Sequence, residues 1–143
     1  MKKFIISAFV ALTILSCNNS KTNDEESKKE INKVEMENPF NGKTIQHTWT
    51  EGAFAGGTYQ NTYRGDKTAT LRAIAGSEKG MKMEQKNVAY NSLGHGLWLA
   101  TWLEENGYTV SIVFDFPNKK VTGVVTKPAA EFYALIGTID SVN

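Results

Sequence analysis

Between residues 39 and 143 the sequence never runs far without a turn signal. Gly52 to Gly57, Gly65-Asp66, Gly76, Asn91 to Gly94, Asn106-Gly107 and Pro117-Asn118 interrupt it at near-even spacing, and Pro128 precedes the last run. The pieces between these signals are too short for ordinary helices and are rich in β-branched and aromatic residues. An all-β domain of eight strands is predicted: Thr44 to Thr50, Thr58 to Arg64, Thr68 to Ala75, Lys82 to Tyr90, Gly96 to Glu104, Tyr108 to Phe116, Lys119 to Thr126 and Phe132 to Ser141. A helical turn over Ala129 to Ala134 is too short to change the class.

Two runs alternate clearly. Tyr108, Val110, Ile112, Phe114 and Phe116 share one face of their strand. In the run before it, Trp98, Ala100, Trp102 and Glu104 share one face, and Leu97, Leu99 and Leu103 the other. Asn106-Gly107 suits a tight hairpin between them. Consecutive hairpins over about a hundred residues favour a single antiparallel up-and-down barrel of the calycin or lipocalin kind, which removes exposed edges and leaves room for a small ligand. A two-sheet β-sandwich is the alternative.

The N-terminus carries a different signal. Lys2 and Lys3 precede an apolar run from Phe4 to Leu15, which ends in Ile14-Leu15-Ser16-Cys17. That is the pattern of a bacterial lipobox: a small residue before the cut and a thiol to take the lipid. Residues 1–16 are expected to be a lipoprotein signal peptide, with Cys17 lipidated. The alternative is an ordinary cleaved signal with a chance cysteine. The implied location is the cell envelope, with the chain anchored to the membrane outside the cytoplasm. Residues 17–38 follow as a charged tether with no sizeable apolar face. Residues 39–143 form one domain, long enough for one core.

Charge narrows the partners. The chain has 16 lysines and arginines against 15 acidic residues, and loss of Lys2 and Lys3 turns the formal +1 into −1. No basic patch interleaved with aromatics exists, which disfavours nucleic acid. Cys17 is the only cysteine. Once it is acylated, the domain has no thiol for a disulfide, for redox chemistry or for a cysteine metal site.

A series of short motifs then resembles a known family. Phe40-Asn41-Gly42-Lys43-Thr44 leads into a strand, followed by Gly57-Thr58-Tyr59, Tyr63 and Thr70-Leu71-Arg72. Thr101-Trp102-Leu103-Glu104, Gly107, Val110 to Phe116, Lys119 to Gly123 and Gly137-Thr138-Ile139 complete it. Their order over roughly residues 40 to 140 resembles the MoaF-like domains, which are similar to the phenolic acid decarboxylases; both are small calycin-like barrels. The resemblance implies an acidic residue at the end of a Trp-x-Glu strand, and Glu104 fits it. The decarboxylases also use two tyrosines two positions apart on the first strand, where His47 and Trp49 stand here. They use an arginine after a central glycine, where Met81 follows Gly80. One functional position is kept and three are altered, so phenolic acid decarboxylation is not expected. The molybdenum-cofactor pathway behind the family's name is cytoplasmic and does not suit an exported chain. What transfers is the fold and a pocket.

The candidate residues each have two readings. Glu104 is an inward carboxylate near Trp98 and Trp102, or a surface glutamate at a hairpin end. Trp98 and Trp102 form an aromatic pocket wall or pack the core. His47, beside Trp49, faces the pocket. His47 and His95 have no partner at metal-ligand spacing, and no metal or cofactor is expected. Arg72 pairs with an anionic ligand or with Glu84. The loop Gly52 to Gly57 has no helix behind it and reads as a hairpin loop or barrel lid. Two functions follow, with a structural or inhibitory lipoprotein acting through its outer surface as a third, bland reading. The first is a lipid-anchored barrel that binds a small apolar or aromatic molecule through Glu104, Trp98, Trp102, Trp49 and His47. The second is a decarboxylase-like or isomerase-like enzyme using Glu104 with His47 or Arg72.

Overall fold

The computed structural model describes residues 38–128 and 131–143. The expected signal peptide, Cys17 and the expected charged tether up to residue 37 lie outside the described residues. Nine strands form the domain: β1 (Thr44–Glu51), β2 (Thr58–Tyr63), β3 (Ala69–Ala75), β4 (Lys82–Gln85), β5 (Ala89–Gly94), β6 (Leu97–Leu103), β7 (Thr109–Asp115), β8 (Lys120–Lys127) and β9 (Glu131–Val142). All are antiparallel in one sheet, in the order β4-β3-β2-β1-β9-β8-β7-β6-β5. Every neighbouring pair is a sequence neighbour except β1 and β9, which bring the two ends of the domain together. Thr44 and Asn143 exchange backbone hydrogen bonds there at 2.8 and 2.9 Å.

Curling follows from the topology. β4 and β5 stand at opposite ends of the order, yet only Lys86, Asn87 and Val88 join them. Four residue steps reach at most about 14 Å, so the two ends of the sheet must meet. Gln85 Nε2 donates to Glu104 Oε1 at 3.4 Å near this seam, and the Val88 amide donates to the Lys67 carbonyl at 2.9 Å. The architecture is therefore the expected up-and-down barrel in a single sheet, with the seam between β4 and β5, and the two-sheet sandwich is set aside.

Three local expectations change. There are nine strands instead of eight, because the run from Lys82 to Tyr90 breaks at Asn87. Its φ of 55° is left-handed, which asparagine tolerates better than most residues. Asn91 to Gly94, expected as a loop, belongs to β5 and pairs with β6. Glu131 to Ala134, expected within a helical turn, belongs to β9.

Alternation sorts the side chains. Ile45, His47 and Trp49 of β1 point inward, as do Tyr59, Asn61 and Tyr63 of β2 and Val110, Ile112 and Phe114 of β7. One end of the barrel is closed by aromatics. Phe40, fully buried, stacks on Tyr90 at 4.8 Å and meets Tyr63, Trp98, Phe114 and Phe116 edge-on at 4.9 to 6.1 Å. The opposite end is not filled.

Candidate functional site

The unfilled end holds a cavity of about 250 Å³. An apolar cavity of roughly 150 Å³ already takes a benzene-sized ligand, so this one has room for a substituted ring. His47, Trp49 and Tyr59 form one side, Trp102, Val110 and Ile112 another, and Glu104, Glu78 and Tyr108 the polar part. Phe54, from the glycine-rich loop between β1 and β2, reaches over it and meets Tyr133 of β9 at 5.7 Å between rings. The loop, expected as a hairpin loop or barrel lid, thus contributes a side chain to the cavity.

His47 is 1% exposed and sits in an aromatic box: stacked on Tyr59 at 5.7 Å, edge-on to Trp49 at 4.8 Å and to Phe114 at 6.2 Å. Burial pushes its pKa down to about 4, against the smaller opposing pull of Asp140. The imidazole is therefore neutral at pH 7. Among the described residues its Nδ1 has no hydrogen-bond partner, and Trp102 Nε1 has none at hydrogen-bond distance, although it stands near enough to Glu104 to favour that carboxylate. Buried polar atoms of this kind normally find partners.

Glu104 follows β6, where the hairpin turns: its amide donates to the Tyr108 carbonyl at 2.7 Å, and the Gly107 amide donates to its carbonyl at 2.9 Å. Its side chain turns in toward the cavity. Burial raises its carboxyl above the ordinary range, the charge of Glu78 adds to that, and nearby Asn106, Trp102 and Gln85 oppose it. Of these three, the Gln85 amide meets the carboxylate at hydrogen-bond distance. Glu78 accepts from Tyr59 Oη at 2.8 Å; burial first, and then this bond, raise the phenol. At the rim Glu131 accepts from Tyr108 and from Tyr133, the latter at 3.0 Å, and the bond to Glu131 pushes Tyr108 up to about 12.

The structure brings together four of the residues singled out from sequence: His47, Trp49, Trp102 and Glu104. It does not bring in Trp98. That residue shares the inward face of β6 with Trp102 but stands four residues away, about 13 Å along a strand, and packs against Phe40 in the closed end. Arg72 is also elsewhere. It is exposed on the outer face of β3, beside Gln60, Lys82 and Glu84. The pairing expected between Arg72 and Glu84 is made instead by Arg64 and Lys82, both 3.4 Å from that carboxylate. Among the described residues no group of three His, Cys, Asp or Glu side chains could hold a metal ion.

Sequence reasoning missed Glu78, Phe54, Tyr108 and Tyr133. Glu78 and Phe54 lie in loops, where no period-two pattern assigns a face. Tyr108 and Tyr133 continue the inward alternation of their strands and were legible in principle.

Residues 42–140 match the family model described as MoaF-like. No curated protein matches the chain significantly. Among solved structures, the chain is similar to a Burkholderia vietnamiensis protein described as a putative beta-lactamase, with a TM-score of 0.63 and 22% identity. The match covers 71% of this chain and 94% of that one. At this identity the likeness concerns the fold.

Proposed function

The chain belongs to the MoaF-like family, and from its barrel and cavity we propose a lipid-anchored, extracytoplasmic protein that binds a small, partly aromatic molecule. The observation that carries the binding reading is an open cavity whose largely apolar wall carries a few polar groups, Glu104, Glu78 and a His47 Nδ1 with no hydrogen-bond partner among the described residues. A few convergent polar groups in an apolar pocket are the usual form of a small-molecule site. The anchor reading rests on the basic start, the short apolar run and Ser16-Cys17. The beta-lactamase description of the structural neighbour is not carried over, because at 22% identity the likeness concerns the fold, and among the described residues the cavity lining offers no serine and no lysine for acyl transfer.

Native mass spectrometry of the gently solubilised full-length protein tests binding, together with Trp fluorescence titration against small aromatic compounds. A retained mass or saturable quenching supports the reading. A clean apo mass with no quenching by any compound overturns it.

The second reading is an enzyme in which Glu104 moves a proton with His47 as its neighbour. It is favoured by the two groups lining one cavity with pKa values pushed in opposite directions. Turnover of a bound compound that Glu104→Gln abolishes, with binding intact, would establish it.

A further inference from the structure

The cavity's charge is one-sided. Glu78 and Glu104 both line it, and among the described residues no lysine or arginine does. Glu78 is fixed by the Tyr59 hydroxyl, and the two carboxylates are close enough for one charge to raise the other's carboxyl. Beside aliphatic side chains, the surrounding walls carry the rings of Trp49, Trp102, Tyr59 and Tyr108. Indole and phenol faces attract cations. The chain shows this pairing at the rim, where the Lys127 ammonium lies 5.0 Å from the Tyr108 ring centre. One further polar atom points to a ligand independently of the acids: His47 is 1% exposed and lines the cavity, and its Nδ1 has no hydrogen-bond partner among the described residues.

We propose that the cavity selects a small organic cation, an amine carried on an aromatic or apolar body, with the ammonium beside Glu104 and Glu78 and the body against Trp49 and Trp102. This rests on the binding reading above. A neutral isostere leaves the two carboxylates uncompensated, and an anion adds a third negative charge. His47, neutral at pH 7, can accept a hydrogen bond without repelling the cation.

Detergent-solubilised full-length protein is titrated at neutral pH with 2-phenylethylamine, 2-phenylethanol and 3-phenylpropionate, followed by Trp fluorescence. The amine is expected to bind at least about tenfold tighter than the alcohol, with the carboxylate weakest. Molar salt should weaken the amine alone. Glu104→Gln and Glu78→Gln should each lower amine affinity about tenfold and alcohol affinity much less, so that the preference for the amine shrinks. Thermal melts identify a variant that fails to fold, and the salt series on the unaltered protein needs neither variant. Alcohol or carboxylate binding as tightly as the amine overturns the cation inference and leaves the binding reading standing. If none of the three binds, the cation inference fails, and the native mass spectrum alone decides the binding reading.

Discussion

Gly123 on β8 faces the indole of Trp49 on β1: a Cβ at position 123 would stand 2.7 Å from Trp49 Cη2. The strand between them is β9, and the Cα partner of Trp49 there is Gly137. A Cβ on Gly137 would strike the Thr48 carbonyl. Two glycines on neighbouring strands thus let a large side chain lie flat against the barrel wall. The register of β1 against β9 shifts on either side of His47 and Trp49, and such irregularities commonly re-aim side chains near binding sites.

Gly123→Ala should therefore push the Trp49 ring toward the cavity. Overpacking of this kind costs about 1–3 kcal/mol. Urea unfolding should show that loss, and the ring's new position should weaken any cavity ligand. Adding Trp49→Phe should recover part of the stability, since the two sites are in contact. Unchanged unfolding in Gly123→Ala would show that the indole moves aside freely.

His47 makes stability depend on pH. Its folded pKa of about 4 lies below its unfolded value of 6.5. Between these values the unfolded chain binds the proton and the folded one does not, so stability rises with pH across that window and falls as pH drops from 6.5 toward 4. The shift corresponds to about 3 kcal/mol. His47→Phe keeps a ring in the box and removes the titration. Between pH 7 and pH 4 the unaltered protein should lose about 3 kcal/mol more than this variant. Parallel losses in both would mean that the imidazole is not held neutral.

The contrast between His47 and Arg72 marks how far the sequence could be read. His47 lies in a run whose alternation is unbroken, so its inward face followed from its neighbours Ile45 and Trp49. Arg72 also alternates with inward Leu71 and Ala73, so parity places it on the outer face whatever its charge suggests. Trp98 had the right parity and the wrong depth, because periodicity fixes the face of a strand and not the layer of the barrel. Only the pairing of β6 with β5 and β7 sets that layer. Glu78 was beyond sequence reasoning, since its place depends on how the turn between β3 and β4 folds back to Tyr59.

Phe40 stands before the first strand, yet it is the centre of the closed end. It is fully buried among five other rings. Phe40→Ala should cost about 3–5 kcal/mol, the range for a truncated core phenylalanine. Denaturant unfolding measures it. A cost below about 1 kcal/mol would mean that Tyr90 and Trp98 collapse into the gap and that the plug is redundant.

Cys17 carries the proposed membrane anchor. Phe4 to Leu15 would reach about 18 Å as a helix, well short of a hydrocarbon core of about 30 Å, so the leader alone is a poor membrane span. A single acyl chain gives marginal binding, whereas the several chains of a bacterial lipoprotein anchor stably. In a bacterial host, the unaltered protein should therefore pellet with membranes, be released by detergent and not by high salt, and yield an acylated N-terminal peptide by mass spectrometry. Cys17→Ser should abolish the acylated peptide and leave the chain in the membrane only as uncleaved precursor. An unaltered protein that is soluble, cut elsewhere than before Cys17 and free of lipid would identify an ordinary secretory signal and remove the anchor from the proposed function.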